Sequence, residues 1–100
     1  MAEVIWTDPA LQELNEIAEY IALDNPAAAS RLVEEIFDKA DRLENFPKSG
    51  RIPPELPNSV YREVVVPPCR VFYREDEKQV LILYVMRDER QLRAYMLESS

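Results

Sequence analysis

The sequence predicts an α+β domain of order β-α-α-β-β-β: a helical hairpin packed on one face of an antiparallel sheet, ending in a C-terminal helix or extended arm. Three observations carry this. Two stretches opened by a proline pair, Asp8-Pro9 and Asn25-Pro26, place apolar residues at helical spacing. Three later runs, 60–66, 70–75 and 81–86, are rich in β-branched, aromatic and leucine residues and are separated by short turns. Between the two groups, Arg51–Ser59 carries Pro53, Pro54 and Pro57, which rules out a central strand and predicts an ordered loop.

The elements follow in order. Glu3-Val4-Ile5-Trp6-Thr7 is a short β-branched and aromatic strand. Asp8 is a helix N-cap candidate, with Pro9 at the first helical position where its missing N–H costs nothing. Ala10, Leu14, Ile17, Ala18 and Ile21 form the apolar stripe of that helix, while Tyr20 and Leu23 fall off it and are expected at the surface. They offer a contact for a homodimer or a protein partner. Asn25-Pro26 opens a longer second helix with the core stripe Ala29, Leu32, Val33, Ile36, Phe37, Ala40, Leu43 and Phe46, stopped by Pro47. Ser49-Gly50 makes a turn. The three strands then form an antiparallel meander through Pro67-Pro68 and Asp76-Glu77-Lys78. The opening strand is expected to join that sheet, the helices to cover one face, and the other face to stay open. A hundred residues support one core and one domain, 1–100.

Composition narrows the chemistry. With no histidine, Ser-His-Asp and Cys-His nucleophile systems and histidine metal sites are excluded. One glycine leaves no phosphate-cradling loop, and one cysteine, Cys69, makes neither a disulfide nor a zinc site. Cys69 is expected to be a half-buried, inert thiol. No metal or cofactor is expected. The N-terminus lacks the basic and apolar regions of a secretory signal, and no apolar run approaches membrane-spanning length. A cytoplasmic location without a membrane partner is the expectation.

The net charge of −7 is unevenly placed. Residues 1–50 hold 11 acidic against 4 basic side chains, and residues 51–100 hold 8 of each, seven of those bases being arginines. The whole excess of negative charge therefore lies with the helices, which makes the arginine-bearing sheet and tail the candidate working surface.

Read together, several segments resemble the RelE/ParE superfamily of toxins from type II toxin–antitoxin systems, the ParE-like branch in particular. They are WTDPALQEL (6–14), IAEYIALDNPAA (17–28), LENFPKSGR (43–51), YREVV (61–65), CRVFY (69–73) and ILYVMRDER (82–90). The resemblance runs from Val4 to about Arg90 and rests on the order and spacing of the pieces. It implies a toxin neutralised by a cognate antitoxin that lays a helix in a groove and adds a strand to the sheet edge. Acidic toxins are unusual in this superfamily, so the contact is expected to be led by apolar side chains or by a partly basic antitoxin.

Two activities are implied. ParE-like members are understood to poison DNA gyrase; RelE-like members cleave mRNA on the ribosome. Metal-independent RNA cleavage needs a base, an acid and cations. Arg62, Arg70 and Arg87 are the candidate cations and Glu63 the candidate base, but Glu63 alternates to the opposite face from Arg62. Many relatives carry a histidine after the last strand, where this chain has Met86-Arg87-Asp88. The leading expectation is therefore a gyrase-binding toxin, the second a ribosome-dependent mRNA interferase, the third a non-toxic binding module or corepressor. Target contacts are assigned to Arg62, Arg70, Tyr73, Arg87, Arg90 and Arg93. Each has a structural alternative: a salt bridge for Arg62 and Arg70, cross-strand packing for Tyr73 and its neighbour Tyr84, solvated charge for the tail. If the tail is helical, Arg87, Arg90 and Arg93 share one face.

Overall fold

Strand β1 (Glu3–Trp6) hands over to helix α1 (Asp8–Ala22) through Thr7. Thr7, not Asp8, is the N-cap: its Oγ1 accepts a long hydrogen bond from the Ala10 N–H at 3.4 Å and donates to the Ile82 carbonyl at 2.7 Å. The hydroxyl thus caps the helix and pins it to the sheet in one residue. Asp8 instead sits in the first turn, where a carboxylate complements the helix dipole. Asn25 caps helix α2 (Pro26–Asp41) as expected, its side chain accepting from the Ala28 N–H at 3.0 Å.

The second helix ends earlier than its apolar stripe. A 3₁₀ turn, Arg42–Glu44, tightens the chain, so Leu43 is buried while Phe46, expected in the core, is 65% exposed. A change from 3.6 to 3 residues per turn rotates the stripe away from the sheet.

Three strands follow: β2 (Tyr61–Val66), β3 (Cys69–Asp76) and β4 (Gln79–Arg87). The sheet order is β1-β4-β3-β2, and β1 lies parallel to β4 while the other pairs are antiparallel. The sheet is therefore mixed rather than antiparallel. A meander only alternates direction; the long loop before β2 decides which way β2 starts, and with it the sense of β4 beside β1. Short helix α3 (Ala94–Glu98) closes the tail. The computed structural model describes residues 1–98; the last two residues of the expected 1–100 domain lie outside the described residues. Among the described residues no helix is long and apolar enough to cross a membrane.

The sheet buries two faces instead of one. On the helix face, Leu14, Leu32, Ile36 and Leu43 pack on Val66, Val71, Tyr73, Val80, Ile82 and Val85. Trp6 and Phe37 meet there in a tilted pair with centroids 4.8 Å apart. On the opposite face, Phe72, Leu83 and Met86 are covered by Leu92, Leu97 and Met96 from the tail and by Leu56 from the proline-rich loop. That face was expected open. A register shift at Phe72/Tyr73 leaves Leu83 unpaired in β4, so Leu83 and Tyr84 both join the opposite face and enlarge its apolar surface.

Candidate target-contact site

The expected site residues divide between the two faces. Arg62 pairs with Tyr73 and Arg87 with Cys69, which puts both on the helix face; Arg70 pairs with Met86 on the opposite face. Tyr73 and Cys69 lie four positions apart on β3, roughly 13 Å at strand spacing. The three arginines therefore do not converge.

Arg70 is part of the framework. Its Nε donates to Glu63 Oε1 at 2.6 Å, and its Nη1 and Nη2 form a fork on the two oxygens of Glu55 at 2.7 Å each. Its guanidinium also stacks 4.9 Å from the Phe72 ring centroid. The second oxygen of Glu63 accepts from Arg51 Nε at 2.7 Å. A fully buried carboxylate thus joins two arginines, and the fork fastens the proline-rich loop to the sheet. The Arg70 hydrogen bonds hold the Glu55 carboxyl below its usual range, and its two carboxylate partners keep Arg70 charged. This is a buried network, not the weak surface bridge expected from the sequence.

Arg62 donates from Nη1 to the Gly50 carbonyl at 2.7 Å. Tyr73 is fully buried; its hydroxyl donates to the Pro47 carbonyl at 2.8 Å and accepts from the Gly50 N–H at 2.9 Å. Burial pushes its pKa up. It packs and clamps the 47–50 turn, and is not placed to stack on a target base. Gly50 is required there because a Cβ would meet the Tyr73 hydroxyl at 2.6 Å and the Glu63 carbonyl at 2.7 Å. Cys69 is likewise wholly buried, and desolvation raises its thiol to about 11.

The tail arginines are the accessible ones. They do not share a helix face, because α3 begins only at Ala94; Arg87 ends β4 and Arg90 and Arg93 lie in the connecting segment. Arg87 lies over the Tyr20 ring, 5.5 Å from its centroid. Its Nε is 2.7 Å from Glu89 Oε1, but off the N–H direction, so this buried nitrogen has an ion-pair neighbour and no hydrogen bond. Arg90 stands 4.0 Å from Glu13 of α1, and Arg93 donates to Gln91 at 3.2 Å in the open. Tyr20 and Leu23 are at the surface as expected, 64% and 86% exposed, and Tyr20 adjoins Arg87. Between the helices and the Pro67-Pro68 turn lies a groove of about 460 Å³ lined by Ile21, Leu32, Arg31, Glu35 and Arg87. Among the described residues no cluster of His, Cys, Asp or Glu is arranged to hold a metal ion.

Sequence reasoning missed Arg51 and Glu55. Neither lies in a periodic element, so nothing local signals that a loop carboxylate and a loop guanidinium meet β2 and β3. Glu63 alone carried a hint, as a charged residue facing the opposite side of its strand from Arg62.

Residues 4–92 match the family described as the ParE toxin of type II toxin-antitoxin system, parDE. Toxin RelE2 of Caulobacter vibrioides is 40% identical over 74 residues, spanning 73% of this chain and 80% of that protein. Putative toxin Y4kP of Sinorhizobium fredii is 48% identical over 46 residues, 46% of this chain and 48% of that one. A solved structure described as the chromosomal ParDE TA system from P. aeruginosa contains a chain that matches with a TM-score of 0.71 at 25% identity, over 87% of this chain and 96% of that one. The match covers the whole βααβββ frame, and the chain belongs to the ParE toxin family of type II toxin–antitoxin systems.

Proposed function

We propose that this toxin arrests growth by binding DNA gyrase, without cleaving RNA, and that a cognate antitoxin holds it inactive. The observation that carries the reading is the state of Glu63. The one candidate base is buried with both oxygens engaged by arginines, while the candidate cations are divided between two sheet faces. Cleavage of RNA needs base, acid and cation around one phosphate. A binding mechanism needs only an accessible surface, and Arg87, Arg90 and Arg93 with Tyr20 and Leu23 supply one that combines charge with apolar area. The relative named Toxin RelE2 keeps a ribosome-dependent mRNA interferase as the second reading.

Induction of the chain alone in bacteria separates these. Growth arrest with filamentation and gyrase-linked DNA breaks is the expected result; rapid translation arrest with cut mRNA establishes the interferase. Normal growth removes both and leaves a binding module or corepressor. The Arg87→Ala, Arg90→Ala double variant is expected to relieve toxicity while folding normally, and full toxicity would take the tail out of the contact surface.

A further inference from the structure

Helices α1 and α2, the Pro67-Pro68 turn and the end of β4 meet around one groove of about 460 Å³. Ile21, Leu32 and the two prolines give it apolar walls. The turn is fixed, since the Asp88 N–H donates to the Pro68 carbonyl at 2.9 Å and holds it against the strand end. Arg87 is fixed as well. Its guanidinium lies over the Tyr20 ring of α1, and Glu89 stands 2.7 Å from its Nε. Among the described residues that guanidinium still donates no hydrogen bond.

The second base in the groove is Arg31 of α2. It belongs to the half of the chain that holds 11 acids and only 4 bases, so composition hid it. Arg31 is exposed and, among the described residues, has neither an ion-pair nor a hydrogen-bond partner. Glu35, one turn further along α2, also lines the groove but forms no ion pair with it. Two guanidinium groups with open donors thus share one space with a single carboxylate. That balance suits one incoming acidic group, because a guanidinium offers a carboxylate two parallel donors. The apolar walls suit aliphatic or aromatic side chains on either side of it.

We propose that this groove receives an acidic, apolar-flanked segment of the target protein, with one carboxylate held between Arg31 and Arg87. The proposal rests on the gyrase reading above and extends its contact surface from Arg87 and Tyr20 across to α2. A nucleic acid is a poor match: apolar walls, Glu35 at the groove and a net charge of −7 oppose a run of phosphates. The antitoxin is a poor match too. An antitoxin drawn to the acidic helices brings bases, which the two arginines repel. Charge therefore separates the two partners, an acidic segment for this groove and a partly basic one for the helical surface.

The test titrates the purified full chain against purified gyrase and, separately, against its antitoxin. Arg31→Glu is expected to weaken gyrase binding by about 10- to 100-fold and Arg31→Gln by less, with antitoxin affinity and thermal unfolding unchanged. Should Arg31→Glu unfold at a lower temperature, Arg31→Gln alone decides. Arg42→Glu makes the same charge reversal just beyond the far end of α2, outside the groove, and is expected to bind gyrase as wild type does. Wild-type gyrase binding that the Arg31 variants leave intact would overturn the groove while the gyrase reading stands. Equal losses in Arg31→Glu and Arg42→Glu would overturn it as well, since they report net charge alone. A loss confined to antitoxin binding assigns the groove to that partner and refutes the proposal. Failure of the wild-type chain to bind gyrase overturns the reading beneath it, and the proposal with it.

Discussion

The two faces of the one four-stranded sheet are held by different forces. The helix face is covered by two capped helices over an unbroken set of aliphatic and aromatic side chains. The opposite face is half apolar, under the tail and Leu56, and half ionic, where Glu63 and Arg70 lie buried beneath Glu55 and Arg51. A helix brings a continuous stripe and satisfies its own backbone. A proline-rich loop brings few apolar residues, so on this face charge and hydrogen bonding complete the attachment. The face that needs ions to close is the one that cannot also use those ions for chemistry.

Breaking that ionic half should have the largest effect. Arg70→Met leaves Glu63 buried with one partner and frees the loop, and a loss of about 3–5 kcal/mol in urea unfolding is expected. The paired replacement Glu63→Leu, Arg70→Met should recover most of it, because removing both charges removes the desolvation penalty as well. A large loss in the double variant would mean that the network is worth more than an apolar patch there. On the helix face, Ile36→Ala is expected to cost about 2–5 kcal/mol, since it opens a cavity between two rigid elements. Leu97→Ala should fall near the lower end of that range, because the five-residue α3 can settle into the space. Equal losses would show that the tail is held as firmly as the hairpin.

Gly50→Ala probes the seam between helix, turn and sheet. Its Cβ meets a backbone carbonyl as well as a hydroxyl, so about 1–3 kcal/mol of overpacking is expected in thermal or urea unfolding. A smaller effect concerns pH. Glu55 has a folded pKa below its ordinary 4.5, so its contribution is present above that value and fades as pH falls through the lower folded one. Wild type should therefore exceed Glu55→Gln in stability at pH 7, with the gap closing in acid; a gap that widens in acid would contradict the clamp. Glu13 has the opposite sign, since burial and Glu16 raise its pKa, so Glu13→Gln should be neutral or mildly stabilising at pH 7. The exposed Lys48–Glu75 pair at 2.7 Å comes last, with a loss under about 1 kcal/mol expected for Lys48→Ala.

Legibility followed the range of the interactions. Both helices, the meander, the loop and the surface position of Tyr20 and Leu23 were readable, because caps, apolar period and proline placement act within a few residues. Thr7 displaced Asp8 as the cap because its hydroxyl is also drawn by the Ile82 carbonyl, 75 residues away in sequence. Phe46 left the core because a 3₁₀ turn that nothing local demands intervened. The candidate site fared worse. Alternation placed Glu63 and Arg62 on opposite faces, but no sequence rule places a loop carboxylate such as Glu55 on Arg70, or Gly50 on Tyr73. Arginines were easy to name and hard to assign, since a guanidinium fits a buried clamp and an exposed contact equally well.

The amino-acid sequence by itself determined the family, the element order and the concentration of negative charge in the helical half. These depend on local pattern and on summed composition. Tertiary structure alone decided that the sheet is mixed, that both its faces are covered, and which arginines remain accessible. Each of those turns on where a long loop carries the chain and on which distant carboxylate reaches a guanidinium first, and neither quantity is written within any one segment. The arginine-bearing half, uniform on paper, separates in space into a brace at Arg70 and Arg51 around the buried Glu63 and a tail edge at Arg87 and Arg90.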